Sequence, residues 1–163
     1  MFVWLAVVAV GMFFLGLTSA LLSRMASAGW TPVPRPAVLW PGTAALLVSS
    51  VLLEASRRAL ARGGWARGRA CLRWGALSAG LFLACQVSAW RWLASSGVGL
   101  AASPGASYFY VLSGAHLVHA LGGLAGWAVV ARRASLAPVS ILAVYWHFLT
   151  AVWVWLFAVL FNP

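Results

Sequence analysis

Apolar residues run through this chain in five long blocks, and the polar positions fall almost entirely between them. The blocks cover about residues 2–22, 38–56, 74–93, 107–131 and 138–161. Each is close to the ~20 residues that an α-helix needs to cross the hydrocarbon of a bilayer. The pattern predicts an all-α polytopic membrane protein, a bundle of five transmembrane helices forming one domain over residues 1–163. No gap is long enough to hold a soluble domain, and neither an even-period repeat nor a low-complexity tract interrupts the pattern.

Two gaps are marked by helix breakers. Trp30-Thr-Pro-Val-Pro-Arg-Pro36 cannot be helical, because proline lacks the amide donor and restricts the residue before it. Ser103-Pro-Gly105 reads as a turn. The first block ends near Ala26-Ser-Ala28, which has the look of a signal-peptidase site. The block lacks a positive leader and exceeds the usual apolar core of a signal peptide, so a retained helix is expected.

Composition agrees with this picture. Of 163 residues, 64% are hydrophobic and 7% are charged, more grease than a water-soluble core needs. The net charge of +10 comes from eleven arginines against a single acid, Glu54. In a soluble chain that balance would suggest nucleic acid. Here the arginines occupy the short gaps, so they read as topology signals and lipid-headgroup contacts, and no nucleic-acid partner is expected. Six of them (57, 58, 62, 67, 69 and 73) lie in or beside the second gap, and Arg132 and Arg133 lie in the fourth. The other two gaps hold Arg24, Arg35 and Arg91. The positive-inside rule then places the N-terminus in the cytoplasm and the C-terminus outside.

Trp30, Trp40, Trp65, Trp74, Trp90 and Trp92 fall near predicted span ends, where an indole can bury its ring and keep its N–H wet. Trp153 and Trp155 are deeper and are expected to pack against another helix or a bound lipid. Cys71 and Cys85 would lie about 21 Å apart on one helix, beyond disulfide reach. They read as small membrane-compatible side chains.

Span three carries Ala76, Gly80, Ala84 and Ser88 at four-residue spacing, one stripe of small residues along a helix face. Such stripes let helix backbones approach closely in lipid. Packing within the bundle and docking onto a larger membrane partner both fit. Gly122 and Gly126 form a shorter stripe on span four.

The candidate chemistry lies in polar residues inside the apolar blocks, where an unpartnered polar group is costly. His116 and His119 are three apart and share a face of span four. His147 lies in span five at a depth within about 4–5 Å of His119. The three can hydrogen-bond each other, a lipid phosphate in a cleft, or a ligand. Haem ligation is the weaker reading, since no acidic group is placed to orient an imidazole. Glu54 has Arg57 and Arg58 at i+3 and i+4, which suits an intrahelical ion pair and leaves a proton-relay role open. Gln86 sits mid-span with Trp90 one turn away. Paired carboxylates, a Gly-rich phosphate loop, a Cys-x-x-Cys and a nucleophile elbow are all lacking, so neither catalytic residues nor a metal site is assigned.

These residues also fall in an order that resembles subunit III of the haem-copper terminal oxidases, in its five-helix bacterial form. Tyr108 to Gly123 resembles the family's Phe/Tyr-rich start followed by Gly-x-His-x-x-His-x-x-Gly-Gly. Tyr145 to Trp153 resembles its last-helix Tyr-Trp-His-Phe followed by Val-Trp. Weaker matches lie at Leu47–Ala59 (Leu-x-Ser-Ser, then Ala and basic residues), at Gln86 with Trp90, and at Met12–Phe14. The likeness touches all five spans.

The resemblance implies a non-catalytic subunit of an aerobic, proton-pumping cytochrome c oxidase in the bacterial inner membrane. Such a subunit packs on subunit I, binds phospholipid in a cleft, and supports proton uptake and durability. Haem and copper would reside in the partner subunits and none in this chain. His116, His119, His147 and Trp153 become candidates for the lipid-binding cleft. Arg57 and Arg58 become candidates for headgroup or subunit I contacts.

Two departures stand out. Many members carry Glu before Val-Met-Phe-Phe in the first helix, where this chain has Val10. The first two helices of the seven-helix form have no counterpart here, and another subunit can supply them. Related readings are a subunit of a quinol oxidase or of a nitric oxide reductase. A small transporter would need a broken helix or a charged midplane site. A small b-type cytochrome would need haem in the isolated chain.

Overall fold

The computed structural model describes residues 2–133 and 135–161, and among them every regular element is an α-helix. The helices are α1 (Phe2–Met25), α2 (Leu39–Ala61), α3 (Trp65–Ser95), α4 (Pro104–Arg133) and α5 (Leu136–Phe161). All five are long and apolar enough to cross a membrane. The chain is a multi-pass membrane protein.

Four of the predicted spans coincide with helices to within a few residues at each end. α3 differs: it begins at Trp65, nine residues before the apolar block. Its 31 residues extend about 46 Å, more than the ~30 Å of hydrocarbon. Hydropathy marks where a helix enters the apolar slab, whereas arginine-rich sequence with good helix propensity continues the same helix into the headgroup zone.

α2 packs on α3, α3 on α4, α4 on α5, and α5 back on α2. These four form a closed antiparallel ring, and α1 lies outside it against α4 and α5. The α2–α3 hairpin is the tightest pair. A Cβ added at Gly42 would come within 2.9 Å of Cys85, and one at Gly68 within 2.8 Å of Leu60. The Ser56 hydroxyl donates to the Gly68 carbonyl at 2.9 Å and ties the two helices just before the turn. Gly63, with φ of 75°, makes that turn in a conformation most side chains disfavour.

The predicted small-residue stripe does not form this contact. Ala84 and Ser88 are exposed, and a Cβ at Gly80 would meet nothing within 4 Å. The face of α3 that turns inward carries Gly68, Leu72, Gly75, Ala79, Phe82, Gln86 and Ala89. Close approach at glycine and alanine alternates there with large side chains filling the ring, as at Gly75, where an added Cβ would strike Trp127 at 2.7 Å. Both cysteines are free.

Candidate functional site

α2 and α5 run antiparallel, and their polar side chains meet in register. Trp153 Nε1 donates to Thr43 Oγ1 at 3.0 Å, and Trp146 Nε1 donates to Ser49 Oγ at 2.8 Å. One residue further along each helix, the Ser50 hydroxyl is hydrogen-bonded to His147 Nδ1. Each small hydroxyl on α2 satisfies a ring nitrogen on α5 that would otherwise be unpaired in hydrocarbon.

Past this ladder the interface opens. A cavity of about 380 Å³ is lined by Ser50, Val51, Glu54, Ala55, Arg58 and His147. Glu54 Oε1 and Oε2 accept from Arg57 Nη2 and Nε at 2.7 and 2.8 Å. Arg58 Nε donates to the same Oε1 at 2.8 Å. His147 Nε2 stands 3.8 Å from Glu54 Oε2, so the imidazole spans the gap between Ser50 and the carboxylate. With two guanidiniums on one carboxylate, the cluster keeps a net positive charge. It can hold an anionic or hydrogen-bonding group that enters the cavity.

His116 occupies the opposite kind of environment. It is fully buried, and its Nε2–H donates to the Leu149 carbonyl of α5 at 3.0 Å. Rings from three helices enclose it: Trp153 at 5.1 Å, Phe82 at 5.7 Å and Phe14 at 6.3 Å between centroids. Trp153 is 1% exposed. Aromatic packing seals both inside the ring, so Trp153 packs against other helices, one of its two expected placements, and neither residue lines a cleft within this chain, the role that the family resemblance implied for them.

His119 is half-buried beside Phe13 and Phe14, and its Nδ1–H donates to Ala115 O, one turn back on α4, at 2.7 Å. Tyr145 OH donates to the His119 carbonyl at 3.2 Å. The three histidines therefore turn to three different neighbours and do not bond one another, although two of them lie at similar depth. Among the described residues no group of three or more His, Cys, Asp or Glu side chains could hold a metal ion.

Sequence reasoning assigned no partner to Thr43, Ser49 or Ser113. Ser113 accepts from Trp90 Nε1 at 3.0 Å and so ties α3 to α4. The available signal was a small hydroxyl in mid-span, a group that must find a partner in lipid. Gln86, by contrast, is buried with no protein partner for its amide among the described residues. Two apolar grooves flank α1. One, of about 410 Å³, runs between Gly11, Phe14 and Leu15 of α1 and Phe148, Val152 and Trp155 of α5. The other, of about 460 Å³, is floored by Gly122, Gly123 and Gly126 of α4.

No protein-family model matches the chain. Curated relatives do. The probable cytochrome c oxidase subunit 3 of Mycobacterium tuberculosis (strain H37Rv) is 31% identical over 92% of this chain and 80% of its own length. The protein of the same name from Mycobacterium bovis gives the same figures. That of Nocardia farcinica is 28% identical over the same shares. Such similarity spans all five helices, and the chain belongs to the cytochrome c oxidase subunit 3 family.

Proposed function

We propose that this chain is a non-catalytic subunit III of an aerobic respiratory cytochrome c oxidase in a bacterial inner membrane. It packs on subunit I, holds phospholipid in its grooves, and supports proton uptake and durability while oxygen is reduced on haem and copper in the partner subunits. Its N-terminus faces the cytoplasm, which puts the arginine-rich α2–α3 turn on the inner face.

The observation that carries this reading is the pairing of Ser50 with His147. Two of the segments that resemble the family, Leu47–Ala59 and Tyr145–Trp153, thereby meet at one open cavity with Arg58 on its rim. That cavity suits a phospholipid headgroup and offers His147 no second imidazole with which to hold haem.

Purification in mild detergent through a tag on this chain tests the proposal. Mass spectrometry is expected to find a many-helix haem-copper subunit and to name the electron donor. Recovery of a quinol-oxidase or nitric-oxide-reductase catalytic subunit would reassign the complex, and recovery of the chain alone would overturn the proposal. In the complex, His147→Leu is expected to leave haem content intact and to lower phospholipid retention or turnover lifetime. Loss of one haem would instead make His147 a ligand.

A further inference from the structure

The α2–α3 turn carries a second pocket that the lipid grooves and the His147 cavity do not account for. It is about 330 Å³ in volume and is lined by Ala55, Arg58, Ala59, Arg62, Gly64 and Arg67. Three of its six lining residues are arginines. Arg58 lies in the last turn of α2, and Arg62, four residues on, caps the end of that helix. The turn then brings Arg67, near the start of α3, to the same pocket.

The charge there is compensated only at Arg58. Glu54 is the only acid in the chain, and its oxygens already accept from Arg57 and Arg58. Among the described residues, the Arg62 and Arg67 side chains make no hydrogen bond. Arg62 and Arg67, beside an Arg58 that shares Glu54 with Arg57, repel each other unless a further anion sits between them. The guanidinium fork matches the oxygens of a phosphate better than those of a point anion.

The walls are also fixed before any ligand arrives. Ser56 is bonded to Gly68, Gly64 N–H donates to Ala59 O at 2.9 Å, and Leu60 fills the space beside Gly68. A preformed wall loses little freedom on binding. The length of α3 sets this turn outside the hydrocarbon, at the level of headgroup phosphates.

We infer that Arg58, Arg62 and Arg67 form a binding site for a phosphoryl anion at the α2–α3 turn. The inference rests on the proposed function only for placing the turn at a membrane face. The ligand is the phosphodiester of an anionic lipid headgroup or a free phosphate, and both present the same oxygens to the same arginines.

The test uses the intact complex purified through this chain and placed in nanodiscs of phosphatidylcholine with a minority of phosphatidylglycerol. Mass spectrometry counts the phosphatidylglycerol retained after detergent washing. Arg62→Gln/Arg67→Gln is expected to reduce its enrichment about tenfold or more. Arg69→Gln/Arg73→Gln, on α3 but outside the pocket, is expected to leave it unchanged. Displacement of the lipid by millimolar inorganic phosphate assigns the free ion, and retention against it assigns the headgroup; either result supports the site.

Equal enrichment in wild type and the pocket variant overturns the inference. So does loss of oxidase subunits from the pocket variant with lipid unchanged, which would make the arginines a protein interface. A preparation that brings down no oxidase subunit yet shows arginine-dependent enrichment would remove the proposed function and leave this site standing.

Discussion

His116 and His147 sit on adjacent helices and answer the same physical demand in opposite ways. His116 is sealed by Trp153, Phe82 and Phe14 and gives its one donated bond to a backbone carbonyl. His147 keeps a side chain 40% exposed to a cavity and is held by Ser50, with Glu54 across the gap. The difference lies in what the neighbouring helix offers at that level. Rings meet His116 from α1, α3 and α5, whereas α2 presents small hydroxyls and then a charged turn to His147. A histidine in a membrane span is therefore a packing element or a binding group according to its register against its neighbours, and residue type alone does not decide.

The sealed side should be the more fragile. Trp153→Ala removes a buried indole that touches His116, Phe82 and Phe157 and breaks the bond it donates to Thr43. It is expected to cost about 3–5 kcal/mol, read as a large fall in the unfolding midpoint in detergent. A loss below about 1 kcal/mol would show that the ring around His116 is not packed as described.

Two neighbouring serines sharpen the contrast. Ser49→Ala leaves Trp146 Nε1 buried with no partner, at a cost of about 1–3 kcal/mol. Ser50→Ala frees His147 into an open cavity that water can enter, and is expected to cost less than about 1 kcal/mol. Equal losses in thermal stability would erase the distinction between the two sides.

A comparably small effect is expected from His116→Leu. The Leu149 carbonyl keeps its helical bond, the unpartnered Nδ1 disappears, and the volume is nearly conserved. Stability should change by less than about 1.5 kcal/mol. A larger drop would mean that the imidazole holds something beyond that carbonyl.

Much of this was legible in the amino-acid order because lipid enforces simple rules. Uninterrupted apolar blocks specify helices and their number, and i+3 and i+4 spacing placed Arg57 and Arg58 beside Glu54. The boundary of α3 was not legible, since hydropathy cannot see a helix continuing among arginines outside the hydrocarbon. Four-residue spacing picked out Ala76, Gly80, Ala84 and Ser88 for packing within the bundle or on a partner; Ala84 and Ser88 face outward, and the inward face uses Gly68, Gly75 and Ala79 interleaved with Leu72 and Phe82. Spacing finds small residues but not which way they face. The Ser50–His147 bond joins residues 97 apart, and no local periodicity carries such a pairing. The likeness of both segments to one family brought them forward without predicting that they touch.

Each histidine is tethered by its own protein neighbour, and the central proposal is that redox chemistry is left to companion subunits. The most direct test is the visible spectrum of this chain after its companions have been stripped from the tagged complex. No haem band should remain with the separated chain while the complex retains its full haem content. A Soret band at stoichiometric intensity in the separated chain would contradict the claim.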